Sequence, residues 1–353
     1  MVRGIDERLS AAAARLLLCT AMAAVLVCGG RAFAADEPQA DPSQEDPLAS
    51  LETMPYLPKE SVSGKLRLAG ATTLQQAASH WCDGFSRIHP SADCTVEVTS
   101  SDGGWRALLD GKADVALLSR PVNDADQAAW EKETGRKLAT VVAGFNRLVW
   151  VVNEANPITS LPWSPEGGVL RTPTGTAAAA GATPVATNWD RLNGDPQWAG
   201  VAIDLHGNEL GSGTRWHMDR LLTGTAPCLL GVREHKTTAE VAEAVAGSRG
   251  GLGLIGDTGA NWLGVKKLSL VVQEGATPLA DHVAGSARTP DCRPLFIAVA
   301  LPKEGGLPPL QREFMAYVLS HPGQLDAAKD GLLPLDRGEV HAQKERLGWP
   351  VER

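Results

Sequence analysis

Residues 63–90, SGKLRLAGATTLQQAASHWCDGFSRIHP, run from a short strand straight into a helix, and that junction decides the fold. SGKLRLAG reads as a strand ending in glycine. Leu74, Ala77, Ala78, Trp81, Phe85 and Ile88 then recur at helical spacing until Pro90 stops the helix. The order repeats directly downstream, with CTVEVTS (94–100) as strand, SDGGWRALLDG (101–111) as turn and short helix, and ADVALLS (113–119) as strand. Strands alternating with helices imply an α/β fold, with a mainly parallel sheet and crossover connections.

Working outward, LATVVAGFNRLVWVVN (138–153) is a second apolar strand region that leads into NPI. Residues 165–187 are dominated by Gly, Ala, Thr and Pro and read as a flexible surface insertion. Order resumes at NWDRL (188–192). After GSGT come helical RWHMDRLL and TTAEVAEAVAG, the glycine-rich strand GLGLIG and the buried strand RPLFIAVAL. The segment 310–335 reads as two amphipathic helices broken at Pro322 and closed at Gly331.

Upstream, residues 1–34 combine a basic leader, an apolar run too short to span a bilayer, and Ala32-Phe33-Ala34 as an A-x-A site. This is the pattern of a secretory signal peptide cut after Ala34. Val27 is too bulky to precede a lipidated Cys28, so the leader is not read as a lipoprotein signal. Residues 35–59 are acidic and proline-rich, the composition of a poorly ordered leader. No later segment is apolar for long enough to cross a membrane, so an exported, soluble chain of two packed domains is expected.

The chain of 353 residues carries a formal charge of −8, which becomes −10 without the four arginines and two acids of residues 1–34. That surface disfavours nucleic acid and anionic lipid as partners. It leaves room for a small anion, because a desolvated local site outweighs a screened surface field. Past the leader stand Cys82, Cys94, Cys228 and Cys292, an even count suited to two disulfides in an oxidising compartment. Three connectivities exist. Cys82–Cys94 with Cys228–Cys292 is preferred, since the first bond ties a helix to the next strand. No cysteine spacing resembles a zinc site.

Three turns share one design: AGATTL (69–74), TSSDGGW (99–105) and LGSGTRW (210–216) each take a strand into a helix through small or hydroxyl residues. Open α/β sheets bind ligands at the carboxyl ends of their strands, where helix N-termini offer unpaired N–H groups and positive potential. Any one of these serines or threonines has an ordinary role as a helix cap. Together they form an oxyanion cradle. No lysine or arginine directly precedes the third turn.

In order and spacing, SGKLRLAGATTL, DVALLSRPV, VNEANPI, NWDRL, GSGTR, GLGLIGD, RPLFIAV and HPGQLDAAKDGLLPL resemble the phosphate-binding proteins of ABC-type phosphate transport systems, from about Tyr56 to Leu335. The resemblance implies a periplasmic binding protein of type II: two α/β lobes, a ligand cleft, and two crossover hinge strands. Lobe one would combine residues 60–147 and 297–345, and lobe two would be 148–296. It implies a ligand held by hydrogen bonds from Thr72, Thr73, Ser101 (Ser100 as near alternative), Ser119 and the Gly211-Ser212-Gly213-Thr214 turn. The implied role is capture of phosphate or a related oxyanion by a periplasmic monomer, without cofactor, and delivery to a membrane permease.

Two positions depart from the family pattern. Asn208 stands where members usually carry an arginine, and a lost charge-assisted bond costs about 1.5–3 kcal/mol. Arg120 and Arg215 are the candidate replacements. Arg120 also occupies the place of the aspartate that accepts the proton phosphate carries and sulfate lacks; Asp102 and Glu209 are the candidate substitutes. A weakened site would suit a non-transport sensor or scaffold. Ser212 beside His206 and His217 raises a serine hydrolase, but GSGT lacks the GxSxG elbow, and no HxH or HExxH spacing marks a metal. Trp105 is read as core or cleft rim.

Overall fold

The computed structural model describes residues 47–164, 168–170, 186–193, 195–223, 231–257, 261–272, 290–303 and 306–350. The expected signal peptide, most of the Gly/Ala/Thr-rich insertion and Cys228 lie outside them. Chain order begins with α1 (Pro47–Leu51) and β1 (Gly64–Ala71). A single 3₁₀ turn, Thr72–Leu74, then leads into α2 (Gln75–Ile88), as the junction implies. There follow β2 (Ala92–Thr99), α3 (Ser101–Leu109), β3 (Val115–Leu118), α4 (Asp124–Thr134), β4 (Leu138–Asn153) and β5 (Ser160–Trp163). The middle of the chain supplies α5 (Asp190–Asn193), β6 (Asp204–Asn208), α6 (Gly213–Thr223), β7 (Val232–His235), α7 (Thr238–Gly247), β8 (Gly251–Gly256) and β9 (Val265–Val272). The chain closes with β10 (Cys292–Ala300), α8 (Pro309–Val318), α9 (His321–Ala328) and α10 (Arg337–Arg346).

The strand order is β2-β1-β3-β10-β4-β8-β6-β7, with β9 on β4 and β5 on β9. β1 lies parallel to β2 and β3, and β10 runs antiparallel between β3 and β4. The 16 residues of β4 serve both halves of the molecule. Leu138–Arg147 pairs with β10, and Leu148–Asn153 pairs with β8 and β9. Sequence alternation along the strands divides the core. Leu66, Leu68, Val115 and Leu117 pack under α2 and α8, while Ala116, Leu118, Val142 and Phe145 face Trp105, Trp130 and Val340 on the other side. In the second half, Leu148, Trp150 and Val152 join Trp163, Trp189 and Met218; Val151 packs with Val241 and Val245 of α7.

Cys82 of α2 is bonded to Cys94 of β2, fastening helix to strand as expected. Three readings need correction. Residues 47–59, assigned by composition to the disordered leader, pack onto the first half: Leu51 and Met54 are buried, and the Tyr56 hydroxyl donates to Glu313 at 2.9 Å. The insertion's flanks are core, with Val169 and Leu170 bonded through their N–H groups to the carbonyls of Leu221 and Leu222. A further helix, α10, follows the two expected at the C-terminus, started by an Asp336/Glu339 capping box. Trp105 is buried in the core. No described helix is long and apolar enough to cross a membrane.

Candidate functional site

The carboxyl ends of β1, β2, β6 and β7, each followed by a helix start, meet around a cavity of about 510 Å³. Its wall includes Thr72, Thr73, Ser100, Ser101, Ser119, Asn208, Ser212, Gly213 and Thr214, so the three hydroxyl turns of the sequence converge on one space. A fourth helix start does the same: Lys236, Thr237 and Thr238 open α7, where Thr237 and Glu240 form a capping box. The helix pattern of TTAEVAEAVAG was legible, but not which end of the molecule it addressed.

The hydroxyls divide into caps and cavity groups. Ser100 is the cap of α3, accepting from the Gly103 N–H at 3.0 Å. Ser101 is the buried neighbour: its Oγ accepts from the Ser119 N–H at 3.0 Å and shares a 3.1 Å hydrogen bond with Ser119 Oγ. Ser212 Oγ accepts from the Arg215 N–H at 3.1 Å in the first turn of α6. Gly213 is pressed onto the end of β3, where an added Cβ would lie 2.0 Å from Ser119 Oγ and 2.3 Å from its carbonyl oxygen. Gly211, at φ +84°, takes a left-handed turn that suits glycine and faces Asp102.

The cation absent from position 208 enters from another strand. Arg293 of β10 is 1% exposed and lines the cavity. Its Nη1 donates to Thr214 Oγ1 at 2.8 Å, and its Nη2 to Asn146 Oδ1 at 2.9 Å and Thr73 Oγ1 at 3.3 Å. Among the described residues its Nε has no partner and no carboxylate pairs with it. Burial pushes its pKa down to about 9. A guanidinium removed from water without a counter-ion is costly, and an anion in the cavity is the group that would offset the cost. Arg293 opens the RPLFIAV motif, where an arginine heading an apolar strand was the available signal.

The two arginines named from the sequence are placed differently. Arg120 donates to Asp102 Oδ1 at 2.7 and 2.9 Å and to Asp126 Oδ2 at 2.6 Å. Burial opposes its charge, but the two carboxylates outweigh burial and hold its pKa above the usual value. Arg215 donates to Asp219 at 2.8 Å and Glu234 at 3.1 Å. Both border a separate cavity of about 350 Å³ on the other side of the GSGT turn, together with Gly211 and Asp102. Their charges are compensated, whereas that of Arg293 is not. Asp102 is engaged by Arg120, and Glu209 stays on the main cavity wall. His206 bonds His235 at 3.1 Å and lies 3.2 Å from Asp204; neither it nor His217 lines the cavity with Ser212. No cluster of metal-ligating side chains occurs among the described residues.

Two α/β halves joined through long strands, with a cationic, hydroxyl-lined cavity where strand ends face helix starts, define a periplasmic binding protein of type II. The chain belongs to the PBP superfamily, whose domain model matches residues 58–322, and this is a superfamily of substrate-binding proteins. It is 27% identical over 295 residues to the phosphate-binding protein PstS of Pseudomonas aeruginosa, covering 83% of this chain and 90% of that one. Two solved structures share the fold. A candidate phosphate ABC transporter substrate-binding protein from Clostridium perfringens, with bound phosphate, has a TM-score of 0.54 at 18% identity, covering 77% of this chain and 100% of that one. An ABC-type phosphate transport receptor from Vibrio cholerae has a TM-score of 0.50 at 19% identity, over 76% and 99%.

Proposed function

We propose that this protein captures phosphate, or a closely related tetrahedral oxyanion, between its two lobes and delivers it unchanged to the permease of an ABC transporter. The observation that carries the reading is Arg293: a buried, uncompensated guanidinium aimed into a cavity of hydroxyls and helix starts. Thr73, Ser101, Ser119 and the Ser212-Gly213-Thr214 turn supply the surrounding donors, with Thr72 at the rim. Arg120, Gly211 and Arg215 support the turn from behind. The relationship to PstS of Pseudomonas aeruginosa, over 83% of this chain and 90% of that one, supports this role.

The protein works in the periplasm as a monomer, exported by its leader and cut near Ala34. Its lobes close by a hinge where β4 passes from one sheet to the other at Arg147–Leu148, and near Cys292, where β10 joins the first sheet. This reading puts the second crossing about five residues before the sequence-based boundary, and the pairing of β10 with β4 along its whole length supports it. A non-transport role drew its support from the missing charge at Asn208, and Arg293 removes that support. The Ser212 hydroxyl caps α6 and no histidine among the described residues lines the cavity beside it, so hydrolysis is not part of the reading.

Calorimetry on the purified protein with phosphate, sulfate and molybdate tests the proposal. Binding of at least one oxyanion, with a matching rise in melting temperature, is the expected result. Absence of both heat and thermal shift with all three would end the oxyanion reading.

A further inference from the structure

The groups around Arg293 differ in what they have left to offer a ligand once their own hydrogen bonds are made. A guanidinium only donates, so every oxygen it touches is spent as an acceptor. Thr214 Oγ1 accepts from Nη1 at 2.8 Å and Thr73 Oγ1 from Nη2 at 3.3 Å, which leaves each hydroxyl a proton to give. Asn146, 7% exposed and on the cavity wall, accepts at Oδ1 from Nη2 at 2.9 Å. That bond fixes the amide's orientation. Its oxygen is turned to Arg293, and what remains for a ligand is the NH2 group.

The buried serines add to the same side of the account. Ser101 Oγ accepts from the Ser119 N–H at 3.0 Å, and the two hydroxyls share one hydrogen bond at 3.1 Å, so whichever of them donates, one hydroxyl proton is left over. A hydroxyl that took a proton from the ligand would still have to place its own. The carboxylates of the region are engaged elsewhere or open to water: Asp102 is held by Arg120 at 2.7 Å beside the other cavity, Asp257 by Lys267 at 2.9 Å, and Glu209 and Asp330 are exposed. The buried surroundings of Arg293 are therefore rich in donors and poor in acceptors. Hydrogenphosphate brings one proton that needs an acceptor, whereas sulfate, of the same charge and shape, brings none.

Resting on the oxyanion reading above, we infer that this site takes tetrahedral dianions without reading the proton of phosphate, so that sulfate is a ligand alongside it. Asn146 is the residue that sets this specificity, an amide whose acceptor is already used where a carboxylate would have one to spare.

The test is calorimetry on the purified protein at about pH 8, where phosphate is mainly divalent, with phosphate, sulfate and monofluorophosphate. The last keeps the phosphorus and charge of hydrogenphosphate but has fluorine in place of its hydroxyl. Sulfate and monofluorophosphate are each expected to bind within tenfold of phosphate, or more tightly. In Asn146→Asp, which sets a carboxylate beside Arg293, the ratio of phosphate to sulfate affinity should move at least tenfold toward phosphate, whatever happens to both affinities together. Phosphate binding more than tenfold tighter than either of the other anions to the unaltered protein would overturn the inference and leave the oxyanion reading standing; this comparison needs no variant to fold. An unchanged ratio in a folded Asn146→Asp variant would overturn the role of Asn146. If none of the three anions binds the unaltered protein, both readings fail together.

Discussion

Moving a guanidinium from water into a protein interior costs several kcal/mol even after relaxation, and Arg293 sits 1% exposed among hydroxyls and an amide. The same chemical group at Arg120 is surrounded by Asp102 and Asp126. Opposite outcomes follow for their substitution. Arg293→Met should weaken oxyanion binding about ten- to hundredfold, the worth of a charge-assisted bond. It should not lower the melting temperature of the empty protein, since an uncompensated buried charge is removed; calorimetry and thermal melts read the two effects. A pH series adds a second check. With Arg293 near pKa 9 in the empty site, an anion raises that value, so binding takes up a proton above it. Phosphate affinity should be level from pH 8 to about 9 and then fall about tenfold per unit; a flat profile to pH 10.5 would contradict a titrating Arg293. This residue escaped the sequence reading because its partners lie far away in the chain: 79 residues to Thr214 and 220 to Thr73. Position 208 held attention because motif reasoning looks within a turn, while the charge arrives from a strand on the far side of the sequence.

At the scale of elements, the strand-turn-helix units were the legible part, because glycine, hydroxyl and apolar spacing are local properties. AGATTL, TSSDGGW and LGSGTRW all end at the cavity. What local pattern does not resolve is which hydroxyl caps and which faces inward. Ser100 and Ser101 differ by one residue, yet the first holds the Gly103 N–H and the second reaches across to β3. Helix α10 was missed for a different reason: RGEVHAQKER is charged on most sides, and few of its residues, among them Val340 and Gln343, are buried. The flanks of the insertion were missed because composition averages over buried Val169 and Leu170. The contact between α6 and β3 yields a further prediction. Gly213→Ala puts a methyl 2.0 Å from Ser119 Oγ, so the helix start must withdraw from the strand. Phosphate affinity should drop at least tenfold with little change in the melting temperature of the empty protein; unchanged affinity would show that the close approach is dispensable.

For the whole molecule, the formal charge of −8 opposes the arrival of an anion that Arg293 then retains. Salt screens the long-range field, with a Debye length of about 10 Å at 0.1 M, but hardly touches a buried contact. The association rate for phosphate, followed by tryptophan fluorescence in a stopped-flow instrument, should therefore rise several-fold between low and physiological salt. A rate that falls would mean that exposed Lys236 on the cavity wall governs the approach. The strand order also bears on how the chain is made. β10 lies between β3 and β4, so as the polypeptide lengthens, the first sheet keeps an open slot until residues 292–300 emerge, well after the strands of the second sheet exist. The half-built sheet has two unpaired edges, and only a late strand can fill them. That strand also brings Arg293. A chain truncated before β10 would lack the sheet's centre and its anion anchor together, so closure of the first sheet and competence to bind coincide in one segment.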